Sequence, residues 1–105
     1  MNGNLLFAAY LKAHLERTGY TRDEVASWLN YRTLIPMNSW LKGDSKPPSF
    51  ILVQLADVLG VDPVELSIGW LIAENTELEK VLQERVLKPL GLSFPTDPNN
   101  FSAIE

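Results

Sequence analysis

Between positions 21 and 46 the sequence carries four cations and several small polar residues. The cations are Arg22, Arg32, Lys42 and Lys46, and the polar residues among them include Asn38 and Ser39. Guanidinium and ammonium groups bind phosphate oxygens through charge-assisted hydrogen bonds, and an Asn amide matches the hydrogen-bonding edge of adenine. This set predicts contact with a nucleic acid, although each of these residue types also occurs as an ordinary solvated surface residue.

Residues for other kinds of chemistry are scarce. The chain has no cysteine and a single histidine, His14, so we expect no disulfide, no metal site and no cofactor. We expect His14 to pack partially and to interact favourably with the C-terminal end of its helix. Glu77, Glu79 and Glu84 belong to a solvated helix face and have no companion nucleophile or phosphate-binding glycine loop. The sequence therefore predicts that the protein is not an enzyme.

Length and charge bound the possible partners. The 105 residues are 46% hydrophobic, which is enough for one domain with a single core. The net charge of −4 disfavours a nucleic-acid partner. However, six basic and five acidic residues precede Val61, whereas three basic and eight acidic residues follow Gly60. The acidic residues are thus concentrated away from the cations around positions 21–46.

The apolar runs are too short to span a bilayer, and no basic segment precedes the first of them. We therefore expect a cytoplasmic protein with no membrane partner.

Spacing and capping signals predict the first two helices. Leu5 to Arg17 carries apolar residues every four positions, and Gly19 ends that helix. Thr21 and Glu24 form a capping box that opens the second helix.

The third helix is predicted from a turn, a cap and a stop signal. The turn is Asn30-Tyr31-Arg32, and Thr33 is the predicted N-cap. Pro36 falls in the first turn, where its missing N–H costs no hydrogen bond. The inward face contains Trp40, and Gly43 ends the helix.

Similar signals predict the remaining helices. Ser49 is the predicted cap of a fourth helix that ends at Gly60, and Asp62-Pro63 starts the next one. Thr76 and Glu79 predict a second capping box, at the start of a helix that runs to Lys88. The segment from Pro89 to Glu105 contains three prolines and is predicted to be non-helical.

These elements predict an all-α protein. Short helices that follow one another with a tight turn between the second and third are typical of a helix-turn-helix. We predict a helix-turn-helix domain over 1–69, a helical extension over 70–88 that is a possible dimerisation element, and a tail over 89–105.

The segment 11–66 resembles the lambda-repressor/Cro-type helix-turn-helix domain, also called the xenobiotic-response-element type. The resemblance rests on short motifs in a set order: Leu11 and Gly19, Thr21-Arg-Asp-Glu-Val-Ala, Ser39-Trp-Leu-Lys-Gly43, Pro48-Ser49, Leu55-Ala56-Asp-Val-Leu-Gly-Val61 and Asp62-Pro63. It implies a five-helix bundle, to which this chain adds one C-terminal helix. It also implies that the third helix enters the major groove of double-stranded DNA.

By position, the resemblance implies specific DNA contacts. Arg22 would contact phosphate, and Lys42 and Lys46 would flank the backbone, while Arg32 is a further phosphate anchor. The groove-facing positions would be Thr33, Leu34, Ile35, Asn38 and Ser39. This chain departs from the family in a turn that is one residue longer and in groove positions without Arg, Lys, Gln or Glu. Leu34 and Ile35 could press on thymine methyl groups or form a protein-binding patch.

The helix over 76–88 has an apolar stripe with two possible uses. It could cover the chain's own core, or it could pair with a second subunit. The candidate dimer-interface residues are Trp70, Leu78, Val81 and Leu82. A homodimer would place two recognition helices about one DNA turn apart. In the tail, Phe94, Phe101 and Ile104 could order on a partner subunit or remain loose.

Two functional hypotheses follow. The first is a DNA-binding transcriptional regulator, repressor-like and homodimeric. The second is an acidic protein-protein interaction adaptor that uses the helix-turn-helix fold with little or no DNA binding.

Overall fold

The computed structural model describes residues 3–94, and every regular element in that range is helical. The α-helices are α1 (Gly3–Thr18), α2 (Arg22–Trp28), α3 (Ile35–Lys42), α4 (Leu52–Leu59), α5 (Pro63–Glu74) and α6 (Glu79–Leu82). Short 3₁₀ turns cover Ser49–Ile51, Thr76–Leu78 and Lys88–Leu90, and a π-helical turn covers Gln83–Leu87. The all-α prediction is confirmed. None of the helices in residues 3–94 is long and apolar enough to cross a bilayer.

The start of α2 is the one that the sequence predicted. The Thr21 hydroxyl accepts a hydrogen bond from the Glu24 N–H at 3.1 Å, and the Glu24 carboxylate accepts one from the Thr21 N–H at 3.0 Å. Both bonds satisfy backbone donors that the helix itself leaves without partners. The predicted capping box is therefore confirmed, and so is the cap of α5, where Asp62 accepts from the N–H groups of Val64 and Glu65.

The start of α3 is not the predicted one. Thr33 is not the N-cap, because the chain bends over residues 32–34 and the helix begins at Ile35. Leu34 occupies the cap position without a side-chain bond, and its carbonyl accepts from the Asn38 N–H at 2.8 Å. Since Leu34 packs against the core, the start of α3 is set by burial. Pro36 does lie in the first turn, and Gly43 ends the helix at φ +82°, a conformation that glycine adopts without strain.

Two further predicted caps are also wrong. Ser49 makes no capping bond, because the extended backbone of Pro48 leads into a 3₁₀ turn and α4 starts only at Leu52. Thr76 and Glu79 form no capping box. There, Asn75 ends α5 by donating its backbone N–H to the Leu71 carbonyl at 2.8 Å, and a 3₁₀ turn follows.

The C-terminal helical segment changes its winding along its length. It is α-helical over Glu79–Leu82, widens to a π-helical turn at Gln83–Leu87 and tightens again at Lys88–Leu90. Pro89 explains the widening, because a proline lacks an N–H and its ring clashes with the carbonyl four residues earlier. Pro89 therefore lies in a helical turn, which the sequence did not predict.

Helix α1 holds the core through an aromatic face. Phe7, Tyr10 and His14 recur at helical spacing, and the Tyr10 ring lies 4.4 Å from His14 and 4.6 Å from Phe94 between ring centroids. The Tyr10 hydroxyl donates to the Glu65 carboxylate at 2.6 Å. Burial, together with this charged acceptor, raises the pKa of Tyr10 far above its usual value. The bond ties α1 to α5.

Phe94 belongs to this core, although it was predicted to lie in a tail that is loose or bound to a partner. Its ring is fully buried and packs against Gly69, where an added Cβ would overlap the ring. Gln83 fixes the backbone of Phe94 by donating to its carbonyl and accepting from its N–H. Both alternatives predicted for Phe94, order on a partner subunit or a loose tail, were therefore wrong, whereas Phe101 and Ile104 lie outside the described residues.

His14 is buried more completely than predicted. It is 4% exposed, and burial followed by the nearby Arg17 charge lowers the pKa of His14 from 6.5 to about 4. The side chain is therefore neutral at pH 7, and the expected charge interaction with the helix end is wrong.

We predict that Phe94→Ala lowers the free energy of unfolding by about 3 to 5 kcal/mol, because it empties a buried ring site. The measurement is urea unfolding. Phe50→Ala is the matched control, because Phe50 is 81% exposed and its truncation should change stability by less than about 0.5 kcal/mol. Equal losses in the two variants would contradict the placement of Phe94.

We predict that His14 makes stability depend on pH. Its folded pKa lies below its unfolded value, so the unfolded chain takes up the proton first and stability falls as pH drops from about 7 towards 4. The free energy of unfolding should fall by about 2 kcal/mol more between pH 7 and pH 5 in the wild type than in His14→Leu. Parallel pH profiles in urea unfolding would show that His14 is not the titrating group.

Candidate nucleic-acid interface

The connection between α2 and α3 is held in a fixed shape. Asn30 adopts φ +64°, and the N–H groups of Asn30 and Tyr31 donate back to the carbonyls of Ser27 and Ala26. The Tyr31 ring then packs edge-on against Trp40 of α3, with 5.4 Å between centroids. Trp40 is buried, as predicted. The turn thus sets the position of α3 relative to α2 through both backbone bonds and ring packing.

A side-chain bond joins the two helices on their exposed side. The Arg22 guanidinium, at the start of α2, donates to the Asn38 Oδ1 of α3 at 2.7 Å. These residues were predicted independently as a phosphate anchor and an adenine reader. Because the bond uses the carbonyl oxygen of Asn38, the amide N–H donors of that side chain remain for another partner.

Three of the four predicted phosphate anchors are exposed cations. Arg22, Arg32 and Lys42 are solvent-exposed, and within residues 3–94 none of them takes part in an ion pair. A cation in that condition keeps its capacity to bind an external phosphate.

Lys46 is placed differently from the other three. Its side chain is 12% exposed, forms an ion pair with Glu74, and lies 4.2 Å from the centroid of the Trp70 ring. Burial lowers the pKa of Lys46. Trp70 in turn donates its indole N–H to the Pro47 carbonyl at 2.8 Å. Lys46 therefore ties the loop after α3 to α5, and its ammonium is engaged inside the protein.

The predicted groove-facing residues divide into two groups. Thr33 and Ile35 are exposed, and Ile35 is 76% exposed. Leu34, Asn38 and Ser39 are half-buried: Leu34 packs on the core, and the Ser39 hydroxyl shares a 2.7 Å hydrogen bond with that of Ser45. Ile35 therefore supplies most of the exposed aliphatic surface at the start of α3, whereas Leu34 packs partly on the core.

The predicted dimer-interface residues also divide. Leu78 and Val81 are exposed and, three positions apart, lie on one helical face. The Trp70 ring contacts the Lys46 ammonium, and its indole N–H donates to the Pro47 carbonyl. Leu82 packs against the chain's own core. The C-terminal segment therefore covers part of its own core and leaves a smaller apolar face.

One cation near this surface was missed by the sequence analysis. Lys12 of α1 lines a groove together with Arg22 of α2 and Lys42 of α3. We name this the α1–α3 groove. Helical spacing places Leu5, Ala8, Ala9 and Lys12 on one side of α1. That spacing is the signal in the sequence from which this groove could have been predicted.

Within residues 3–94 no group of three or more His or carboxylate side chains is arranged to hold a metal ion.

No protein-family model matches the chain, and no curated protein or solved structure matches it either.

Proposed function

We propose that this protein is a DNA-binding transcriptional regulator of the repressor kind, with α3 as the helix that enters the major groove. The observation that carries the proposal is the Arg22–Asn38 hydrogen bond. This bond lies between α2 and α3, and it joins two residues of the proposed DNA surface, Arg22 for phosphate and Asn38 for a base.

The arrangement around this bond supports the proposal. Arg32, shortly before α3, and Lys42, at its last residue, add exposed cations that form no ion pair within residues 3–94. Thr33 and Ile35 are exposed at its start, where methyl groups of these residues can contact thymine. We propose phosphate contacts for Arg22, Arg32 and Lys42, and base contacts for Thr33, Ile35 and Asn38. Lys46 is left out of this set because Glu74 already neutralises it.

The five-helix arrangement of the lambda-repressor/Cro-type domain is part of the same proposal. The order and lengths of α1 to α5, the α2 capping box and the left-handed glycine after α3 support it. Helix α6 and the turns that follow it would then be an addition to that domain.

The adaptor function is the second candidate, and it is favoured by two exposed apolar side chains. Ile35 and Phe50 are each more than three-quarters exposed, at the start of α3 and just before α4. Exposed apolar residues of this size are common in protein interfaces. The DNA-binding measurement below separates the two candidates, since the adaptor requires no affinity for DNA.

We predict salt-dependent binding to duplex DNA that requires the cations of α2, the turn and α3. Fluorescence anisotropy with a labelled pool of random duplexes, at several salt concentrations, measures it. Each phosphate contact contributes about 0.9 to the slope of log affinity against log salt. The triple variant Arg22→Ala/Arg32→Ala/Lys42→Ala should therefore reduce that slope by roughly three.

The matched control removes the same charge from the C-terminal helical segment. Lys80, Arg85 and Lys88 are exposed, and their triple alanine variant should keep the wild-type slope. Equal losses of salt slope in both triple variants would show that binding depends only on the net charge of the protein. Absence of binding at low salt would reject the DNA proposal and favour the adaptor.

We predict that the protein is a homodimer that pairs through Leu78 and Val81. Leu78→Glu/Val81→Glu should give monomers in sedimentation velocity at roughly 100 μM, because charge would enter an apolar contact. Val53→Glu is the control, since Val53 is an exposed apolar residue elsewhere on the surface. A wild type that sediments as a monomer at this concentration would contradict the dimer.

A further inference from the structure

The α1–α3 groove has an apolar floor formed by two leucines and two alanines. Leu5, Ala8 and Ala9 contribute to it from α1, and Leu41 contributes from α3. This side of α1 is opposite to the face that carries Phe7 and Tyr10. Because two of the floor residues are alanines, the helices leave a cavity of about 370 Å³ that is open to solvent.

Three cations from three different helices surround this floor. Lys12, Arg22 and Lys42 are all exposed, and no carboxylate is among the residues that line the groove within the described chain. The Arg22 guanidinium is oriented by its bond to Asn38, so one of the three charges is already held in place. Cations gathered without a counter-charge repel one another, and a bound anion relieves that repulsion.

An apolar floor and a cationic rim together define the chemistry of the ligand. Small-molecule sites in proteins are mostly apolar, have a few polar groups that orient the ligand, and have volumes of about 300 to 1,000 Å³. We propose that the α1–α3 groove binds a small organic anion, with its apolar body on Leu5 and Ala9 and its phosphate or carboxylate head between Lys12, Arg22 and Lys42.

This site has a regulatory consequence that rests on the proposed function. Arg22 and Lys42 are shared with the proposed DNA surface, whereas Lys12 and Ala9 are not. An anion in the groove neutralises two of the cations that would bind DNA phosphates. The ligand therefore competes with DNA and acts as an inducer that releases it.

The experiment is an NMR titration of the ¹⁵N-labelled protein without DNA, using phenyl phosphate, benzoate and inorganic phosphate as separate probes. Phenyl phosphate or benzoate should saturably shift amide signals of residues 5–12 and 41–42. The tighter of the two identifies the head group. Inorganic phosphate should bind at least about tenfold more weakly, because it makes no contact with the apolar floor.

Two pairs of variants test the two parts of the site. Lys12→Gln should weaken binding of the tighter probe about fivefold, and Lys80→Gln should leave it unchanged. Ala9→Leu fills the floor and should weaken binding more than about tenfold, whereas Ala13→Leu makes the same change outside the groove lining and should not. Lys12 is exposed, so its substitution tests the site without threatening the fold.

Binding of inorganic phosphate as tightly as phenyl phosphate and benzoate, or unchanged binding in Ala9→Leu and Lys12→Gln, would overturn the proposal. If the protein does not bind DNA, only the proposed competition with DNA is rejected. The titration still tests ligand binding, because it contains no DNA. In the DNA assay, Ala9→Leu should bind DNA normally but resist release by the tighter probe, and release at the wild-type concentration would overturn the inducer role.

Discussion

Helix α1 packs against α3, α4 and α5, and this packing positions those three helices relative to one another. One side of this helix presents Phe7 and Tyr10 to α5 and to Phe94, and the Tyr10–Glu65 hydrogen bond closes that contact. At its C-terminal end, Arg17 donates to the carbonyls of Leu59 and Gly60 and so holds the end of α4. Because α3 also packs on α1, this core sets the orientation of α3, the candidate recognition helix.

The two sides of α1 also differ in charge. The core side of α1 keeps its ionisable groups neutral: burial lowers the pKa of His14 and raises that of Tyr10. The opposite side gathers Lys12, Arg22 and Lys42, and no carboxylate is found around their groove in the described residues. The net negative charge of the chain is carried elsewhere, mainly after Gly60. An acidic protein can therefore present a locally basic surface.

Local signals in the sequence were sufficient where the structure is determined locally. The Thr21–Glu24 box, the Asp62 cap and the glycine after α3 each depend on residues a few positions apart, and each was predicted. The caps at Thr33, Ser49 and Thr76 were wrong because the packing of Leu34 on the core, an extended Pro48 and a helix-ending Asn75 determine those starts. A residue type that favours capping therefore predicts a helix start only where neighbouring residues do not fix a different start.

The candidate site was only partly predictable, because its distinguishing contacts are long-range. Arg22 and Asn38 are sixteen residues apart, and their individual roles were predicted but not their bond. Pattern alone could not separate Lys46 from Lys42, since the difference is made by Glu74 and Trp70 of α5. Lys12 was not predicted for the same reason. It lines a groove with Arg22 and Lys42 only after α1, α2 and α3 have packed together.

We propose that α2 and α3 form one DNA-binding surface, with Arg22 and Asn38 at its centre. The most direct measurement is the set of amide signals that shift when unlabelled duplex DNA is added to the ¹⁵N-labelled protein. The proposed surface predicts shifts at residues 22–24 and 32–42, with little change at residues 76–90. Shifts confined to residues 76–90, or none at low salt, would contradict it.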